Sequence, residues 1–179
     1  MPMKKVLNFV PVHDDNSSIY IKTGTRSYNQ HYAHLWAKGD TSPYLESSFT
    51  PEVVKKELAD SNSAHFIIRN GGETAGILKI VKNKPVAHYP GEDALLLEKL
   101  YLLSECSGKG LGSSTLIFVQ DYAKNLNKKV LWLDAMKNAR ALRFYVNHGF
   151  IIYSERLHWS PLVLEAERPM YIMIKKLEI

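Results

Sequence analysis

The sequence has little sulfur and no long apolar run. Cys106 is the single cysteine in 179 residues, so no intrachain disulfide can form and a zinc site built on paired thiolates is excluded. No apolar stretch approaches the roughly 18 residues that a membrane-spanning helix needs. The N-terminal MPMKKVLNFVPVHDD carries a lysine pair but neither an apolar segment nor a small-residue cleavage pattern, so no secretion signal is expected. Repeats and low-complexity segments are also lacking. Acidic residues number 18 against 23 basic ones, a formal charge of +5. That excess is too small and scattered to imply nucleic acid, although it suits an anionic ligand. These absences predict a cytoplasmic protein with no membrane or nucleic-acid partner. A chain of this length can bury roughly 70% of its unfolded surface, enough for one domain over residues 1–179.

Periodicity supplies the elements. Residues 6–12 form a β-type run ending at Pro11. Residues 16–36 give mixed signals around Gly24 and predict a broken helical region, and 38–49 read as turn-rich. Thr50-Pro51-Glu52 combines a hydroxyl cap, a first-turn proline and an acid at the positive helix end. Val53, Val54 and Leu58 then follow at helical spacing. Residues 65–69 and 74–81 flank Asn70-Gly71-Gly72, a hairpin signal. Residues 94–103 (ALLLEKLYLL) are apolar on both alternating faces, as in a central strand covered on both sides. After a glycine-rich turn, Leu111, Thr115, Val119, Tyr122 and Leu126 recur at helical spacing. Residues 130–135 read as a strand. Asn138 is expected to cap a helix with Leu142, Tyr145 and Val146 inward and Gly149 as its stop. Residues 150–159 and 169–177 close the chain as strands. The order predicts an α/β fold: a single-domain mixed, mostly antiparallel sheet flanked by helices.

Ser107-Gly108-Lys109-Gly110-Leu111-Gly112-Ser113 lies between a buried strand and an amphipathic helix. Glycines there let the backbone approach a phosphate, and the helix directs its unpaired N–H groups into the same space. A tight strand-to-helix connection explains the same residues. The spacing fits neither a phosphate-binding loop ending in Gly-Lys-Ser/Thr nor the dinucleotide fingerprint.

Further on, Asn138, Ala141, Phe144, Tyr145, Gly149 and Phe150 fall in the pattern Asn-x-x-Ala-x-x-Phe-Tyr-x-x-x-Gly-Phe. With the glycine loop, this resembles the GNAT superfamily of N-acetyltransferases, and LEKLYL resembles the segment in which polyamine acetyltransferases carry their base. Ser107 departs from the Gln or Arg usual at that loop position. The resemblance implies the GNAT acyl-CoA fold and acetyl transfer from acetyl-CoA to a primary amine, small or polyamine-like, by direct attack in a ternary complex. A protein N-terminus or lysine as acceptor, and a catalytically silent acyl-CoA sensor, are alternatives. A nucleotide-binding module is a further rival.

By the resemblance, the loop 107–113 holds the pyrophosphate, the backbone of Leu100, Tyr101 and Leu102 pairs with pantetheine, and the Leu102 N–H serves the oxyanion. Asn138 binds the cofactor and Tyr145 is the general acid, unless it is an ordinary core tyrosine. Glu98 is read by alternation onto one face with Leu96, Leu100 and Leu102. Desolvation there would raise its pKa toward neutrality and make it a base; a structural ion pair is the other reading. Lys109, Lys137, Arg140 and Arg143 are candidates for the 3′-phosphate, and Trp36, Tyr44 and Glu46 for the acceptor pocket. His31 and His34 give half a metal site without a third ligand, so no metal is expected. A cysteine nucleophile at Cys106 lacks a nearby histidine base. A homodimer is left open.

Overall fold

The computed structural model describes residues 6–178. Strand β1 (Leu7–Pro11) ends at the proline that lacks a ladder N–H. Helix α1 (Ser17–Tyr32) runs unbroken through Gly24, where an interruption was expected. A Cβ at Gly24 would stand 2.2 Å from the Phe49 ring, so the glycine seats that ring against the helix. The turn-rich segment contains a short helix, α2 (Ser42–Ser48), with proline in its first turn. α3 (Pro51–Leu58) begins as expected, with Thr50 Oγ1 accepting from the Val53 N–H at 3.2 Å.

The hairpin joins β2 (Ser63–Asn70) to β3 (Glu73–Val81) through Gly71 and Gly72, at φ 61° and 88°. Then follow β4 (Ala94–Leu102), α4 (Leu111–Asn125), β5 (Val130–Met136), α5 (Arg140–Asn147), β6 (Ile151–Leu157) and β7 (Pro169–Lys176). Asn138 does not cap α5. Ala139 holds that position without a side-chain bond, and Asn138 Nδ2 donates to the Ala166 carbonyl at 3.2 Å. Val146 and Leu126 are exposed rather than inward. Leu142, Phe144 and Tyr145 pack inward from α5, and Leu116 and Ala123 from α4.

The sheet has seven strands in the order β1-β2-β3-β4-β5-β7-β6. Its neighbours pair antiparallel except β4 and β5. On one face Leu78, Leu95, Leu97, Leu131 and Leu133 pack under α4 and α5. On the other, Ile67, Ile77 and Met136 pack with Tyr20, Tyr28, Phe49 and Val54 from the α1–α3 side.

Two irregularities at the centre build the site. The parallel ladder holds only Ala94–Val130, Leu95–Leu131 and Leu96–Trp132. Beyond it β4 and β5 continue side by side unpaired. In the β3–β4 ladder, Ile80 faces Leu97 and Lys79 faces Lys99, which leaves Glu98 as a bulge residue. The bulge resets the alternation: Leu97 and Leu100 both face α4, while Tyr101 packs toward α1.

Candidate active site in the split between the central strands

Where β4 and β5 part, a cavity of about 450 Å³ passes through the sheet. Leu97–Tyr101 and Leu133–Met136 form its strand walls, Ala141 and Tyr145 reach it from α5, and Tyr28, Tyr32 and Tyr44 from the opposite layer. Such a volume is in the range of small-molecule sites. A second cavity of about 230 Å³ shares Tyr32, Leu35, Met136, Ala139 and Ala141 with it and is also lined by His31, His34, Asn138 and Arg140.

The glycine loop approaches from the α4 side. Gly108 and Gly110 sit at φ 73° and 78°, and nothing lies within 4 Å of a Cβ built on either. Their surface is bare backbone, and Gly110 caps α4 without a side-chain bond, leaving the first helical N–H groups available to an anion. Gly112 serves differently. It is helical, and its Cβ would meet Phe144 at 3.1 Å, so it lets α4 and α5 close together. Ser107 Oγ donates to the Leu103 carbonyl at 3.4 Å. Ser113 Oγ meets His148 Nε2 at 2.9 Å, while His148 Nδ1 donates to the Phe144 carbonyl at 2.7 Å. In the tautomer with its proton on Nδ1, Nε2 accepts from the serine hydroxyl. Lys109 and Arg143 are exposed and make no ion pair among the described residues. Lys137 is taken up by Glu155 and the Tyr171 ring.

Glu98 is placed by its bulge, not by alternation. Leu100 and Leu102 pack toward α4, whereas Glu98 points to the other side and bonds Lys79 at 2.5 Å and Lys99 at 3.2 Å through Oε2. Its side chain is 34% exposed, and the closest contact of each lysine is with Oε2, not Oε1. Burial pushes this carboxyl up, but the ammonium groups of Lys99 and Lys79 outweigh burial and hold it below the usual carboxylate range. The expected rise toward neutrality is thus reversed. Lys79 also bonds Glu57 at 2.7 Å, and Glu57 bonds the buried His65 at 3.0 Å. Lys79 and Lys99 face each other across the ladder, a repulsive pairing that the two glutamates relieve.

Tyr145 lines the cavity, its hydroxyl has no partner among the described residues, and burial pushes the phenol well up. It stays protonated at any physiological pH and so has a proton to give. Leu103 N–H donates to the Ala75 carbonyl on β3 at 2.9 Å. By strand alternation the Leu102 N–H is turned the other way, toward the split. The Leu102 carbonyl meets His31 Nε2 at 2.8 Å, so His31 tethers the strand end; no metal-holding cluster exists among the described residues. Tyr44 lines the cavity and bonds the Tyr101 hydroxyl at 2.6 Å. Trp36 does not line it: at 2% exposure it is core, bonded to the Tyr28 hydroxyl at 3.0 Å. Glu46 is exposed and outside the lining. Asn138 lines the second cavity, apart from Tyr145.

Sequence reasoning missed Lys79, Lys99 and Glu57, which read as ordinary surface charges on a strand and a helix. It also missed Asp134, Arg156 and His158 in the cavity wall. Lys79 and Lys99, each within an apolar run of its strand, were the available signal.

The family model described as acetyltransferase (GNAT) family matches residues 27–150. An uncharacterised N-acetyltransferase from the pepI 3′ region of Lactobacillus delbrueckii subsp. lactis is 27% identical over 138 residues, 76% of this chain and 78% of that protein. Spermidine N(1)-acetyltransferase of Escherichia coli K12 is 26% identical over 133 residues, 73% of this chain and 66% of that protein. The crystal structure of PaiA N-acetyltransferase from Thermoplasma acidophilum in complex with coenzyme A shares the fold, with a TM-score of 0.75 at 16% identity over 96% of this chain and 99% of that one.

Proposed function

The chain belongs to the acetyltransferase (GNAT) family as an N-acetyltransferase, and from that premise we propose that it moves an acetyl group from acetyl-CoA to a small primary amine by direct attack in the split between β4 and β5. The observation that carries this reading is that Glu98 and Tyr145 line one cavity, together with Leu100 and Tyr101, where β4 and β5 part.

Acetyl-CoA supplies an activated thioester. The Gly108–Gly110 backbone and the first N–H groups of α4 suit its pyrophosphate, and Lys109 and Arg143 its 3′-phosphate. The unpaired β4 edge at Leu100–Leu102 can pair with an extended pantetheine as a strand would. The amine nitrogen bonds the acetyl carbon as the carbon–sulfur bond breaks. Leu102 N–H donates to the oxygen that gains charge. Glu98, ionised at neutral pH, receives one ammonium proton directly or through water, and Tyr145 gives its proton to the departing sulfur and regains one from the nitrogen of the new amide.

The similarity to a spermidine acetyltransferase supports a polyamine-like amine as one acceptor class. No described helix is long and apolar enough to cross a membrane. A homodimer would cover Ile151, Ile152, Tyr153 and Leu157, exposed on edge strand β6; sedimentation at two concentrations decides that point.

The test is thiol release from acetyl-CoA with a panel of primary amines. Turnover dependent on an amine supports the proposal. Tight coenzyme A binding with no turnover for any acceptor would make the chain an acyl-CoA sensor, and preference for ATP over coenzyme A in thermal shift would make it a nucleotide-binding module.

A further inference from the structure

The acceptor end of the cavity has already balanced the charges it carries. Its lining holds the acids Glu57, Glu98 and Asp134 and the bases Lys79, Lys99 and Arg156. Each acid is in contact with a base: Glu57 with Lys79, Glu98 with Lys79 and Lys99, and Asp134 with Arg156. One ammonium can still be received at the open oxygen of Glu98. A second or third ammonium would find only carboxylates already paired with a base, the one further open oxygen being the buried Asp134 Oδ1, where the Arg156 guanidinium opposes a cation, and a charge taken from water without a full partner is costly.

The wall next to β6 presents donors instead. Arg156 commits one nitrogen to Asp134, and its side chain is 51% exposed, which leaves the rest of the guanidinium fork available. Two residues on, Ser160 N–H donates to His158 Nδ1 at 3.1 Å. The lone pair is therefore on Nδ1, and the neutral ring carries its proton on Nε2, an N–H with no partner among the described residues. Trp36 meets the ring edge-on at 5.6 Å and Trp159 stacks on it at 5.4 Å, fixing its plane. Burial and the neighbouring Arg168 and Arg156 push the imidazole pKa down, which keeps it neutral.

Resting on the acyl-transfer reading above, we propose that the acceptor is an amino carboxylate: a primary amine whose far end bears a carboxylate held by Arg156 and His158, rather than a polycation. Such a molecule is net neutral, like the cavity. Its ammonium lies toward Glu98, its carboxylate toward the donor wall, and its carbon chain among Tyr28, Tyr44 and Tyr101. Forming the amide breaks the carbon–sulfur bond of acetyl-CoA, releases the amine proton to Glu98 or water, and leaves free thiol and a product with one negative charge.

The experiment compares kcat/KM for acceptors that share one amine and carry a carboxylate, a carboxamide or hydrogen at the far end, with spermidine as the polycation. The carboxylate is expected to lead by about tenfold or more, the scale of a charge-assisted hydrogen bond. Arg156→Gln should erase that lead mainly through KM, and Arg156→Lys should keep part of it. A carboxamide used as well as the carboxylate, a lead for spermidine, or a lead unchanged in Arg156→Gln overturns the acceptor class while leaving acyl transfer intact. No turnover with any amine, coenzyme A bound, overturns acyl transfer and this acceptor with it.

Discussion

Tyr145 and Glu98 share a cavity, but their surroundings act on them in opposite senses. Burial holds the Tyr145 proton on, whereas the lysine pair keeps the proton off Glu98. Tyr145→Phe should therefore lower kcat roughly a hundredfold and leave coenzyme A affinity within about twofold, read by thiol release and calorimetry; unchanged turnover would remove its acid role. Glu98→Gln should cost most near neutral pH and least near pH 10, where the amine is increasingly deprotonated without help. Equal loss across the profile would remove the base role. Lys79→Met takes one ammonium from the carboxylate, leaves burial less opposed, and should move an acid limb of kcat/KM upward in pH, with Lys79→Arg restoring it. A merely structural Lys79 would lower stability without moving that limb.

At the scale of elements, the sequence was legible wherever a local rule settles the outcome. Thr50 capping α3, the glycines of the β2–β3 hairpin and the strand–loop–helix order around Gly108–Gly112 all follow from neighbours in the chain. It was illegible where a distant partner decides. Gly24 reads locally as a helix breaker, yet its reason is the ring of Phe49. Alternation puts Glu98 with Leu100, yet one unmatched residue in the β3–β4 ladder turns it to the other face. Trp36 and Tyr44 look alike as aromatic pocket candidates, and only the packing of α1 separates core from lining. Gly24→Ala tests the first case. The methyl group cannot fit unless Phe49 moves, so the variant should lose about 2 kcal/mol in urea unfolding despite alanine's better helix propensity. Adding Phe49→Leu should recover part of that loss. A Gly24→Ala protein at least as stable as the parent would show that Phe49 does not set this position.

For the molecule as a whole, the cost of splitting a sheet at its centre falls on buried charge. Lys79 and Lys99 are buried beside the opening and are tolerable only while Glu57 and Glu98 stay ionised. Burial pushes Glu57 up, but its bond to His65, the charge of Lys99 and the contact with Lys79 bring it down to about 2 from the ordinary 4.5. A carboxyl whose folded pKa is depressed adds stability that is fully present above its unfolded value and lost as pH falls toward the folded one. Asp134 has the opposite sign: burial outweighs Arg156 and raises its pKa above 3.8, so its ionisation near neutrality opposes folding. Glu57→Gln should then cost roughly 3 kcal/mol at pH 7, with the gap to the parent narrowing as pH falls from about 4.5 toward 2. Asp134→Asn should leave the urea midpoint at pH 7 unchanged or higher. Urea unfolding of the three proteins at pH 7 and pH 3 reads both. A Glu57→Gln penalty that is the same at both pH values would mean that Glu57 holds its place by shape rather than by charge, and that the lysines beside the opening are compensated by Glu98 alone.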